Sequence, residues 1–244
     1  MPFAVWLASL AARRWGHAVS GYLGGLPMIG GPITLYLALD LGADFAARSA
    51  LVTMAAVAGQ AAHMIAFSSV GRAAGPLAAL FAGWAAFAFI SVGVGTLALS
   101  PASALALAIA GLLLAAGLVP HPRDVATLPA IPPVELWLRL GAALALAAAI
   151  LFGATALGPT VSGILLSLPI TGSIMPPFTL RLYGGDALAR LQRGFITGLT
   201  GFTAFFLVVS IAVVPVGIVG AFSLATAAAL ATVAAFSRWK KPRA

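Results

Sequence analysis

Charge is scarce in this chain. Of 244 residues, 7% are Asp, Glu, Lys or Arg, 62% are apolar, and mean hydropathy is +1.11. Soluble domains carry about 25% charged residues, because their surfaces must meet water. With so little charge the chain cannot cover itself in polar groups, so its surface faces lipid. Cysteine is absent, which removes disulfides and thiolate-ligated metal sites. The three histidines, His17, His63 and His121, fall on separate segments without metal-ligand spacing, and no clustered carboxylates or nucleophile–base pair accompany them. No catalytic residue, metal or other cofactor is therefore expected. A nucleotide-binding P-loop is also missing, so ATP drive would need a partner. The net charge of +8 brings no basic patch interleaved with aromatics. Nucleic acid is not an expected partner, and the Arg and Lys residues read instead as cytoplasmic loop anchors.

What remains is a succession of apolar stretches separated by Gly, Pro or charge. At about 20 residues per crossing they give about nine candidate spans, at 2–18, 20–40, 46–69, 75–98, 101–119, 135–157, 160–181, 193–213 and 215–237. Helix is the only element that fits, since barrel strands would be shorter and would alternate apolar with polar. The expected fold is all-α, a polytopic membrane helix bundle forming a single membrane domain. Residues 120–134, rich in Pro and carrying His121, Arg123 and Asp124, read as a linker between 1–119 and 135–244. The first span is short. Arg13 and Arg14 follow the apolar Phe3–Ala12 directly, with no basic stretch before it, which fits a short span or an interfacial helix better than a cleaved signal peptide.

Residues 16–48 and 158–190 match without a gap. Gly16/Gly158, Val19/Val161, Ser20/Ser162, Gly21/Gly163, Leu23/Leu165, Leu26/Leu168, Pro27/Pro169, Gly30/Gly172, Gly42/Gly184, Asp44/Asp186, Ala47/Ala189 and Arg48/Arg190 are identical. Shared apolar residues are common between membrane helices; shared Pro, Asp and Arg at fixed spacing are not. With loops assigned to alternating sides, Arg13, Arg14, Arg72, Arg123, Arg139, Arg181, Arg190, Arg193, Arg238, Lys240, Lys241 and Arg243 fall on one side, and Arg48 alone falls on the other. That asymmetry marks the cytoplasmic face. It puts the C-terminus inside and, if residues 2–18 cross, the N-terminus outside. Trp15, Trp137 and Trp239 fall near the same face, as an aromatic belt requires. Matching spans lie an odd number of crossings apart, so the two copies are expected to be inverted repeats.

Matching Gly/Pro-interrupted helices in the two halves are the sequence pointer to a transporter's binding site. The first such helix carries Gly24, Gly25, Pro27, Gly30, Gly31 and Pro32; the second carries Ser167, Pro169, Thr171, Gly172, Ser173, Pro176 and Pro177. Proline removes a helix hydrogen bond, and in lipid the freed carbonyl must find a partner in a neighbouring helix, a side chain, water or a ligand. The plainer alternative is a kink with tight packing. Gln60 and His63 share a helical face deep in the third span, where polar groups usually turn toward the bundle interior. His63 could take up a proton near neutral pH and couple transport to a proton gradient, or simply bond a neighbouring helix. Thr197, Thr200 and Thr203 form a hydroxyl stripe, although such threonines often bond their own backbone. Asp44 with Arg48 and Asp186 with Arg190 are i, i+4 pairs that read as helix-start ion pairs, or as gates at the two faces.

The run Arg13–Arg14–Trp15–Gly16, Val19–Ser20–Gly21, Leu26–Pro27 and Gly31–Pro32 resembles a group of small, uncharacterised bacterial inner-membrane proteins with the pattern RRxGxxVSGxLxGLPxxxGP. That resemblance implies no activity, but it implies the bacterial inner membrane as location. The inverted build is similar to that of the drug/metabolite transporter superfamily, which uses five plus five spans, whereas here no tenth span follows Ala244. The expected function is secondary transport of a small metabolite, with export as one direction. A non-transporting scaffold or accessory subunit is the alternative. Lipid is the expected partner, and a homo-oligomer is left open.

Overall fold

The computed structural model describes residues 18–19, 21–123 and 133–239. The expectations for span 2–18, for Arg13, Arg14, Trp15, Gly16, His17 and Ser20, for linker positions 124–132 and for the basic tail from Lys240 lie outside the described residues.

Among the described residues every regular element is a helix: α1 (Gly30–Asp40), α2 (Ala43–Ala55), α3 (Val57–Gly95), α4 (Pro101–Leu118), α5 (Pro133–Leu166), α6 (Ile170–Val216) and α7 (Ile218–Trp239). A further helical turn, 21–25, precedes α1. Five helical stretches are long and apolar enough to cross a membrane: Gly21–Asp40, Ala43–Gly95, Pro101–Leu118, Phe152–Val216 and Ile218–Ser237. Two of them, at 53 and 65 residues, exceed the roughly 20 residues of one crossing. They are not straight. Gly75 (φ 81°), Gly158 (φ 70°) and Gly184 (φ 77°) interrupt them with backbone that only glycine adopts without strain. Gly42 and Gly217 take the same left-handed φ, at 90° and 81°. Gly42 and Gly184 thus have one conformation at matching sequence positions, and Gly75 and Gly217 extend the match beyond residue 48.

The local sequence explains several ends. Ser100 caps α4 through reciprocal bonds with Ser103, and Pro101 occupies the first turn, where its missing N–H is harmless. At Pro27 the helix breaks over 26–29, and at Pro169 over 167–169. The hydrogen bonds of the two breaks correspond one by one. Leu26 N donates to Leu23 O at 3.3 Å and Leu168 N to Leu165 O at 3.1 Å; Met28 N donates to Leu26 O at 2.7 Å and Ile170 N to Leu168 O at 2.8 Å. Gly31 N then restarts one helix on Pro27 O at 2.8 Å, as Ser173 N does the other on Pro169 O at 2.7 Å. Each proline therefore sits in a tight three-residue turn between two half-helices.

Packing exchanges partners between the two halves of the chain. Segment 21–25 crosses α6 backbone to backbone: a side-chain carbon at Gly25 would stand 2.6 Å from Phe195 O and 2.9 Å from Gly198 Cα. Gly21 and Gly194 meet in the same way one turn along, so a Gly-x-x-x-Gly face lies on a Gly-x-x-x-Gly face. Conversely α5 crosses α2, where a carbon at Gly163 would stand 2.6 Å from Ser49 O, and Thr53 Oγ1 donates to Gly163 O at 3.0 Å. Gly59 likewise lies against Phe87, and Gly201 against Ala229. Gly163 and Ser49 match Gly21 and Leu191, whose carbonyl lies against Gly21, and Gly201 and Ala229 match Gly59 and Phe87.

The connecting helix α4 is tied to α6 at its end. Arg193 donates to the carbonyls of Ala116 (3.1 Å), Val119 (2.9 Å) and Pro120 (2.9 Å), with its guanidinium 2.9 Å from His121 Nδ1. A cation at the last carbonyls of a helix also complements its dipole. Outward the bundle presents large apolar side chains, among them Phe81, Phe89, Phe152 and Val219, each at least three-quarters exposed. Inside, many packed positions are alanine and glycine. An apolar exterior around close-packed small residues is the arrangement of a protein solvated by lipid.

Candidate functional site

Both helix breaks open onto one cavity of about 80 Å³. Its walls come from residues 23–26 and 28–30 on one side and from 166 and 168–172 on the other. Gln60, His63 and Met64 of α3 and Phe195, Leu199 and Phe202 of α6 complete it. The half-helices that restart after the breaks, α1 and α6, begin at this cavity, and neither start has a side-chain cap, the N-cap residues being Ile29 and Pro169. A helix start leaves its first N–H groups without intrahelical acceptors and carries about half a unit of positive charge.

Two polar side chains from α3 reach the site. Gln60 Nε2 donates to Ser167 O at 2.7 Å, supplying the carbonyl that the Pro169 break leaves without its helical donor. His63 is 1% exposed, and neither ring nitrogen has a hydrogen-bond partner. A side-chain carbon at Gly83 would stand 2.8 Å from its Cδ2 and 2.9 Å from Nε2, so that edge of the ring rests against α3 beyond the Gly75 kink. The opposite edge faces α6: a carbon at Gly172 would lie 3.9 Å from Cε1 and 4.0 Å from Nδ1. The ring also stacks on Phe67, with centroids 6.2 Å apart.

Of the residues singled out from sequence, Gly30, Gln60, His63, Pro169, Thr171 and Gly172 line the cavity. Pro27 forms the neighbouring turn without lining it, and Pro32 is exposed on α1. Gly31 packs against the Phe205 ring, where a carbon would stand 3.2 Å from Cζ. Ser173 Oγ donates to Pro169 O at 2.7 Å, and Pro176 is buried farther along α6. Thr200 donates to Thr197 O at 2.7 Å, and Thr197 and Thr203 bond Arg193 O and Leu199 O, so the hydroxyl stripe turns back on its own helix. Asp44 lies in the first turn of α2, where Arg48 Nε donates to its backbone carbonyl at 3.4 Å. Asp186 Oδ1 accepts from Arg123 N at 3.2 Å, so this acid holds the chain that leaves α4.

Sequence reasoning missed the α6 wall. Phe195, Leu199 and Phe202 carry no polar signature; their one signal was the Gly194–Gly198 pair beside them, which brings α6 within reach of segment 21–25. Gln192 was missed as well. It accepts from Ser68 Oγ and donates to Met64 O at 3.3 Å, locking α6 to α3 next to the cavity. Among the described residues no group of three or more His, Cys, Asp or Glu could hold a metal. Comparison with protein-family models, curated proteins and solved structures finds no match to this chain.

Proposed function

We propose that this chain is a secondary transporter of a small metabolite, working by alternating access between two inverted halves. The observation that carries this reading is the meeting of two helix breaks at one cavity with buried polar side chains. Binding sites at discontinuous helices near the repeat interface are the shared feature of inverted-repeat transporters. The matched hydrogen bonds of the breaks, the matched glycine kinks and the reciprocal crossings of segment 21–25 on α6 and of α5 on α2 support two related halves. In this reading the kinks divide the long helices into about nine spans. In the same reading the C-terminus lies at the cytoplasmic face, as the distribution of basic residues favours, and the membrane is a bacterial inner membrane. A scaffold or accessory subunit would be served better by tight packing at the breaks than by a cavity between them. His63, the titratable side chain among the described wall residues, offers a route for proton coupling.

Reconstituted protein should accelerate the flux of a small solute into liposomes, and a pH gradient should change the rate. If ligands bind without any being carried, the transport reading is lost. Orientation has a direct check in this cysteine-free chain. Single cysteines at Asp44 and at Gly185 should react with an impermeant maleimide from opposite sides of the membrane. Labelling from the same side would remove the inversion and most of the case for alternating access.

A further inference from the structure

We propose that the cavity is a site for a short carboxylate anion, held at the start of α6 and hydrogen-bonded by His63. The proposal rests on reading the cavity as the transport site and names its substrate class. Gly30 and the stretch Ile170–Gly172 are the first turns of two helices that face one small space, and neither is capped by a side chain. At the α6 start the N–H groups of Thr171 and Gly172 have no backbone acceptor among the bonds of the break, and a helix start carries about half a positive charge. Glycine at 172 lets a ligand oxygen approach these N–H groups beside the His63 ring.

The cavity's other side chains fit the same ligand. Among the described residues no carboxylate lines it. His63 is its only titratable wall residue among those described. Its Cε1–Nδ1 edge faces Gly172 at the α6 start, with Nδ1 buried and unpartnered. A buried polar group without a partner calls for one from solvent or ligand. An Nδ1–H donates to a carboxylate oxygen, and a proton held on the imidazole would neutralise the anion while both are shielded from water, where an uncompensated charge is costly. A cavity of about 80 Å³ is about half the ~150 Å³ that accommodates benzene, which is room for about three or four heavy atoms. Formate and acetate are of that size.

The test is calorimetric titration of the full chain in nanodiscs with sodium formate, sodium acetate, acetamide and methylammonium chloride, at about pH 6 and about pH 8. Formate and acetate should bind, more tightly at the lower pH, while acetamide and methylammonium should not. His63→Gln should weaken acetate binding about tenfold and remove its pH dependence. Gly172→Ala, which adds a methyl group at the α6 start, should weaken it without changing the melting temperature. The second variant keeps the test decisive if the first fails to fold. Acetamide or methylammonium binding as well as acetate, no binding of either carboxylate, or both variants binding acetate as the parent does would each overturn the assignment. Flux separates the two readings. Carboxylates that bind but are not carried would refute transport and leave the site standing. Flux of a neutral or cationic solute with no carboxylate binding would do the reverse.

Discussion

Gly198→Ala should destabilise the bundle and disturb the cavity together, because the added methyl group has nowhere to go. It would stand 2.8 Å from Gly25 Cα and 3.0 Å from Gly25 C, and closer still to Tyr22 O. Carbon atoms attract at about 3.5–4.0 Å, so the crossing must open by at least about 0.5 Å. The obstructing atoms are backbone, which no rotamer change can clear. Overpacking of this kind costs about 1–3 kcal/mol, and the helix propensity gained on replacing glycine offsets up to about 1 kcal/mol. Relative to a glycine-to-alanine change with room for the methyl group, which gains the same propensity, the loss is about 1–3 kcal/mol. Gly25, pushed away, is itself a cavity wall, so ligand binding should weaken as well. Gly117→Ala is the control: it lies in α4 with nothing within 4 Å of an added carbon, and it should be neutral or slightly stabilising. Reversible unfolding in mixed micelles, followed by circular dichroism, reads the difference. If Gly198→Ala is as stable as Gly117→Ala, the backbone crossing of segment 21–25 on α6 is wrong.

Three further outcomes are expected. Gln60→Leu should cost about 1–3 kcal/mol, the penalty of leaving a buried carbonyl unsatisfied, here that of Ser167; unfolding within error of the parent would show that another group serves that carbonyl. Arg193→Lys should loosen the end of α4, because one ammonium cannot span the carbonyls that the guanidinium fork reaches. It should show as faster proteolysis at 121–123 and a loss of about 2 kcal/mol, on the scale of hydrogen bonds to charged groups; unchanged cleavage would refute the clamp. Gly75→Ala and Gly217→Ala should each lose about 1–2 kcal/mol, because both hold a left-handed backbone, and melting curves on which neither matters would show that the kinks are not rigid features.

Much of this architecture is legible from local chemistry. Proline lacks an N–H wherever it is placed, so Pro27 and Pro169 announce breaks that the structure puts at 26–29 and 167–169. Gln60 and His63 share a helix face by spacing alone, and both meet the cavity. Polar type was a poorer guide where a side chain could satisfy itself. Ser173 and Thr200 bond carbonyls of their own helix and stay off the cavity wall, a competition that hydroxyls win cheaply inside any helix.

By itself, the sequence determined that the chain is helical and lipid-facing. Backbone groups in lipid must be satisfied within each segment, and 7% charge leaves no aqueous surface. It also determined where the helices break, since proline chemistry acts within a few residues. Only the tertiary structure decided which surfaces meet. A Gly-x-x-x-Gly face states that something approaches closely, but not that segment 21–25 will lie on α6 while α5 lies on α2. Nor does a buried histidine reveal whether its ring meets a partner or an empty space. That depends on contacts between separate helical segments, where Gly83 closes on one edge of His63 and Gly172 lies along the other, leaving Nδ1 beside a cavity neither helix could form alone.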